Sequence, residues 1–531
     1  MHIKRTGRIL AATSLSAALV VAGVAAPAVA GNGHGSDAQS SSASLRKAVT
    51  ARGITAHLDA LQAIADANGG NRAAGTSGHV ASAEYVERQL QKAGYTTTRQ
   101  PFSYTKVIVD LAAFSQTAPT VVDYAYPDEF YPMDYTASGD VTAAISPVDV
   151  NLVGDRASTS GCEAEDFAGF VAGSIALLQR GSCDFAVKAS NAAAAGASAA
   201  IVFNQGNDVP GDDRFGVVQG TLGEPGILIP VVGTSYAIGE TLATTVGSTV
   251  RVALQTHDET INTFNVLADT KKGNPDELVV VGGHLDSVLE GPGINDNGSG
   301  SAAILETAIQ FSKLKIKPTN KVRFAFWSGE EDGLQGSNYY VSQLTEAQIA
   351  SHALNLNFDM VASPNPVRFV YDGDGDALGT AGPEGSDAIE DIFLNYFASQ
   401  GLATAPTDFD GRSDYFAFIE AGIPAGGLFT GAEGIKTEEE AAIFGGTAGE
   451  PYDPCYHSAC DTNANLDQVV LEQMADAIAH ATFTAADAKA PGHGHGGGHG
   501  GGHGGSGHGH NGWGNGHSGH GPGHHGHPNK H

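Results

Sequence analysis

The chain has 531 residues, 41% of them hydrophobic and 16% charged, with a formal net charge of −30. That length calls for roughly two to four structural units, and the apolar share suffices for sizeable cores. So acidic a chain excludes nucleic acid and anionic membranes as main partners, and after residue 30 no apolar run is long enough to span a bilayer.

Residues 1–30 have the order of a secretory signal: Lys4, Arg5 and Arg8, an Ala-rich apolar run, then "APAVA", with cleavage expected after Ala30. Residues 31–45, mostly "GNGHGSDAQSSSAS", read as a flexible linker or pro-segment. Leu58, Leu61, Ile64 and Ala65 then share one helical face, stopped by Gly69 and Gly70. "HVASAEYVERQLQKAGY" predicts a second helix ended at Gly94, and "TTTRQPFSYTKVIV" turns extended.

From 109 to 258 the character changes. Short β-type runs ("GSIALLQRG", "SAAIVFNQ", "GILIPVVGTS", "STVRVALQT") alternate with turns, and "DFAVKASNAAAAGAS" is a helix candidate between the first two. This reads as a β-rich module inserted between residues 46–108 and 259–486, which form one α/β unit. In the second part, "ELVVVGGHLDS", "NKVRFAFWSGEE" and "HALNLNFDM" predict strands, separated by the helices "GSGSAAILETAIQFSKL" and "GLQGSNYYVSQL". Such alternation implies a mixed, mostly parallel central sheet flanked by helices, whose ligands bind beyond the carboxyl ends of the strands. Residues 487–531 are a Gly/His tail, too rich in glycine to pack a core and suited to loose metal binding.

Four cysteines in an exported chain read as two disulfides. Three pairings are open; pairing the sequence neighbours, Cys162 with Cys183 and Cys455 with Cys460, is the simplest. The heptapeptide "PCYHSAC" leaves a further choice between zinc held on sulfur and a disulfide that holds a histidine in place.

Chemistry-bearing residues gather at the predicted strand ends. They are His284 and Asp286 in "GGHLDS", Asp296 in "GINDNGSG", Glu330 and Glu331 in "WSGEEDG", Asp359 in "NFDM", and His457 in "CYHSAC". Two imidazoles and several carboxylates suit a pair of zinc ions sharing a bridging carboxylate, which activates water and polarises a carbonyl. A glutamate beside a ligating one can serve as proton shuttle. "DGDGDA" at 372–377 lacks the glycine and glutamate of an EF-hand loop and reads as an acidic turn.

In order, "GGHLDSV", "GINDNGSGSAAILETA", "FAFWSGEEDGLQGS", "LNFDM", "GRSD", "PAGGLFTGAE" and "CYHSACDT" resemble the secreted bacterial leucyl aminopeptidases with two zinc ions. These belong to the clan of co-catalytic zinc exopeptidases that includes vacuolar aminopeptidase Y. The resemblance spans roughly residues 50–106 and 260–486. It implies a zinc exopeptidase fold, with His284, Asp296, Glu331, Asp359 and His457 as ligands and Asp296 bridging. It makes Asp286 the partner orienting His284, Glu330 the general base and Tyr456 the donor to the oxyanion. It also implies that Arg412 lies near the substrate's amino end and that Met360, Gly411 and Phe429 surround a pocket for a large hydrophobic first residue. Relatives bind calcium through acidic groups of the last helix, here Asp476 and Glu472. "IALLQRGSCDFAVKASNAAAAGASAAIVFNQ" followed by "ILIPVVGTS" resembles a protease-associated domain, which implies a Cys162–Cys183 bridge within it.

The reading is a secreted, monomeric, extracellular aminopeptidase acting on peptides with a free N-terminus. Carboxypeptidases and dipeptidases of the clan, single-zinc glutaminyl cyclases and receptor-like relatives without ligands are the alternatives. A complete ligand set together with Glu330 favours the peptidase.

Overall fold

A computed structural model describes residues 35–207, 214–223 and 225–488, with side chains from Ser42 onward. The expected signal over 1–30 and all but the first residues of the Gly/His tail lie outside the described residues. Among those described, no helix is long and apolar enough to cross a membrane.

The fold is α/β. Eight strands of the catalytic part run edge to edge in the order Ala405–Thr407, Phe369–Tyr371, Ala425–Phe429, His352–Phe358, Asn274–His284, Asn320–Trp327, Thr249–Asp269 and Thr97–Ala118. The strands flanking Asn274–His284 are both parallel to it, so their carboxyl ends open on one edge. Alternation along these strands feeds two cores. Val279 and Val281, with Phe324 and Phe326, face helices Gly300–Lys313 and Gln468–Asp487. Leu278 and Val280, with Ala325 and Trp327, face Tyr340, Tyr415 and Phe418. A strand buried on both faces must be apolar at every step, which is why "VVVGG" shows no alternation.

The expected boundaries at 109 and 258 fall inside two continuous strands. Thr97–Ala118 and Thr249–Asp269 pair antiparallel from Thr97 opposite Ala268 to Ala118 opposite Thr249. The run "STVRVALQT" is not a strand of its own but the first part of the strand Thr249–Asp269. This ribbon leaves the catalytic sheet and continues into the insert's own sheet, where Gly139–Pro147, Ile175–Gln179, Ala199–Phe203, Val231–Thr234 and Phe130–Pro132 lie in that order. Phe185–Ala194 is helical as expected. Disulfides join Cys162 to Cys183 and Cys455 to Cys460.

One expectation needs correction. Much of the segment 31–45 read as a flexible linker belongs to the helix Gly35–Ala48. Serine and glycine made it look solvated, but Leu45 and the following Val49 are fully buried in the main core.

Arg72 joins the first helical layer to the loop after the central strand. It is fully buried, and its guanidinium donates to the carbonyls of Leu285, Pro292 and Gly293. Burial lowers its pKa only to about 10, so it stays charged, with Asp286, Asp461, Glu331 and Asp296 favouring the charge. Arg72→Met strands these carbonyls in a buried place. Denaturant unfolding is expected to show a loss of at least about 2 kcal/mol, and an unchanged midpoint would contradict this role.

Candidate metal centre

Strand ends and one disulfide loop converge here. His284 is the last residue of Asn274–His284. Glu330 and Glu331 sit in the turn after Asn320–Trp327, and Asp359 directly follows His352–Phe358. Asp296 lies in the turn Ile294–Ser299, ahead of helix Gly300–Lys313, and its bond to Asn297 is cis. The turn needs Gly293, which has φ +60°; a Cβ there would meet Asp296 O at 2.3 Å and Ser287 Cβ at 2.4 Å. His457 comes from the loop closed by the Cys455–Cys460 bridge, itself at φ 52°. The choice posed by "PCYHSAC" is thus resolved: the sulfurs bond each other, and the imidazole points to the carboxylates.

Ligand atoms about 2.0–2.2 Å from a tetrahedral zinc stand roughly 3.3 Å from each other. His284 Nε2 lies 3.3 Å from Asp359 Oδ1 and 3.4 Å from Asp296 Oδ1. His457 Nε2 lies 3.3 Å from Asp296 Oδ2 and 2.9 Å from Glu331 Oε2. The two oxygens of Asp296 therefore face different histidines. Glu330 Oε2 is 3.8 Å from His284 Nε2, farther than the other carboxylates. Glu331 Oε1 is buried without a hydrogen-bond partner. A buried oxygen lacking a donor, among nitrogen and carboxylate groups at this spacing, fits zinc.

The charge balance points the same way. Burial pushes the Glu330 and Glu331 carboxyls up, and neighbouring carboxylates push further. Burial alone would raise Asp296 too, but hydrogen bonds with His284 and His457 hold it well below the usual carboxylate range. Burial disfavours charge on both histidines, yet the carboxylates around them outweigh it and raise both. The centre has a surplus of negative charge for a cation to neutralise.

Supporting residues emerge that the motifs did not mark. Asp461 accepts the backbone N–H groups of Asn295 at 2.8 Å and Asp296 at 3.0 Å. Ser413 Oγ donates to Asp359 Oδ2 at 2.6 Å and accepts from Asn357. Asp286 differs in detail from its expected part: His284 Nδ1 is 3.2 Å from its backbone carbonyl but 3.8 Å from its carboxylate, which takes the Glu330 N–H at 3.4 Å. Asp461 follows Cys460 directly, and Ser413 sits inside "GRSD", so position was their sole signal.

On the rim, the Tyr456 ring stacks on His457 with centroids 3.8 Å apart, and its hydroxyl accepts from Arg412 at 3.2 Å. Arg412 also pairs with Glu433 at 2.9 Å, an exposed partner not singled out from the motifs. Met360, buried at φ 48°, accepts the Thr430 N–H, which brings it beside Phe429. Gly411, at φ +82°, donates to Tyr415 and adjoins Arg412. Of the two calcium candidates, Glu472 accepts the Ala51 N–H, and burial raises the Asp476 carboxyl to about 6.

Comparison with known proteins identifies the family. The profile of peptidase family M28 matches residues 265–482, and that of the PA domain matches 148–242. An aminopeptidase of Pseudomonas aeruginosa is 49% identical over 82% of this chain and 81% of its own length. A probable leucine aminopeptidase 2 of Aspergillus fumigatus is 42% identical, over 78% and 79%. The solved aminopeptidase of Aneurinibacillus sp. strain AM-1 superposes with a TM-score of 0.65 at 26% identity, covering 84% of this chain and 96% of that one. A zinc aminopeptidase from Bacillus subtilis shares the fold, with a TM-score of 0.56 at 24% identity over 83% and 96%. The chain belongs to peptidase family M28, a group of co-catalytic zinc exopeptidases, and carries a PA domain inserted in that fold.

Proposed function

We propose that this protein is a secreted aminopeptidase with two zinc ions, removing a large hydrophobic residue, leucine foremost, from peptide N-termini. The observation that carries the reading is Asp296 set between His284 and His457, each histidine backed by a further carboxylate. His284, Asp296 and Asp359 form one ligand set; Asp296, Glu331 and His457 form the other. Zinc, when bound, supplies activation of water and polarisation of the scissile carbonyl.

The chain's own residues do the rest. Glu330 takes the proton of the attacking water and returns it to the leaving amine, a shuttle helped by burial that raises its carboxyl. Tyr456 donates its hydroxyl to the developing oxyanion, its ring held flat on His457. Met360, Gly411 and Phe429 border the pocket for the first side chain. Glu433 neutralises Arg412, which leaves that rim suited to a substrate ammonium and poorly suited to a terminal carboxylate. This favours aminopeptidase over carboxypeptidase action. The paired cysteines, the N-terminal signal pattern and the acidic surface support an extracellular place.

Glu330→Gln is expected to retain its zinc while turnover falls by about 10²- to 10⁴-fold; near-normal turnover with zinc bound would refute the assignment. Leucyl nitroanilide is expected to be cleaved, and its N-acetylated form left intact. Cleavage of the blocked substrate, or full activity after chelator dialysis, would overturn the aminopeptidase reading.

A further inference from the structure

The turn that carries Glu330 and Glu331 is closed by its own backbone bonds, from Gly333 and Leu334 to the Glu330 carbonyl and from Gln335 to that of Gly329. It has positive φ at Gly329, Gly333 and Leu334. The next residue, Asp332, is gripped from outside the turn. Lys106 Nζ and Tyr104 Oη both donate to its carboxylate, one to each oxygen. Its side chain is 10% exposed, so this is a largely desolvated ion pair. Its backbone carbonyl accepts the Tyr135 hydroxyl at 3.1 Å. Gln335, first in the following helix, donates to the same carbonyl and to the Tyr135 oxygen, both at 3.0 Å.

The donors have a common origin. Tyr104 and Lys106 are two apart on Thr97–Ala118 and so point to one face of the ribbon that leads to the insert. Val107, their neighbour, packs against the core of the inserted domain. Tyr135 is itself a buried member of that core. The grip on Asp332 therefore comes from the insert and its stalk.

We propose that Asp332 is a positioning residue through which the inserted domain and its ribbon, by Tyr104, Lys106 and Tyr135, fix the Glu330 and Glu331 carboxylates. This rests on the reading of Glu330 as proton shuttle and Glu331 as zinc ligand. Proton transfer tolerates little misplacement; a shift on the order of 1 Å costs about a hundredfold in rate. The insert is in this account part of the active site's frame and not an appended binding module.

The test uses the full zinc-loaded chain. Lys106→Met combined with Tyr135→Phe is expected to lower kcat by about tenfold to a hundredfold, with KM changed less than about threefold and zinc content unchanged. Restoring a cation with Lys106→Arg in the Tyr135→Phe background is expected to recover most of the kcat. Native kcat in the double variant, or a loss that Lys106→Arg does not recover, would overturn the proposal. Glu330→Gln run alongside separates the two levels. If it is inactive while the double variant is native, the positioning role alone fails; if it is active, the reading of Glu330 fails.

Discussion

Four carboxylates and two imidazoles converge at the end of a parallel sheet, largely buried except for His457, whose side chain is 34% exposed. Asp296 and Asp359 are 5% and 8% exposed, and His284 is fully enclosed. Desolvated carboxylates this close repel one another strongly, and two histidines cannot neutralise four acids. Divalent cations relieve that repulsion at once. Much of the surrounding structure serves to keep the acids in place until they do so. Arg72 lends a buried positive charge from behind, and Asp461 grips the backbone of the Asn295–Asp296 turn.

The sheet supplies the precision. Neighbouring strands in register deliver His284 opposite Trp327, so the turn holding Glu330 and Glu331 starts level with the histidine. Phe358 pairs with Leu428, which sets Asp359 and Met360 beside the Phe429 corner. His457 arrives from a loop and needs its own brace. The disulfide closes that loop, while Asp453 accepts from Cys455, Asn295 and Asn465 and ties it to the Asp296 turn.

The ligand candidates were legible because each sits in a short, distinctive string at a predicted strand end, and strand ends of one parallel sheet must meet. The inserted module was legible through its change of composition. The ribbon was not, because an extended stretch reads the same whether it ends at a domain border or runs through it. Arg72, Asp332 and Asp461 were not legible either. Arg72 meets its acceptor carbonyl on Leu285 213 residues away, and Asp332 meets Tyr104 across 228. Such contacts leave no periodic trace. The helix Gly35–Ala48 was hidden by its serine-rich composition, since a single large apolar anchor, Leu45, is too little to show a pattern.

The insert thus stands in a closer relation to the site than its lack of reactive groups suggests, because its stalk and core reach Asp332, next to Glu331 and two residues from the proposed shuttle. All of this turns on Asp296 lying between two ions. Anomalous X-ray diffraction at the zinc edge, on crystals of the purified protein, tests that most directly. Two peaks are expected to flank Asp296, one against His284 and Asp359 and the other against Glu331 and His457. A single peak, or peaks that do not touch Asp296, would contradict it.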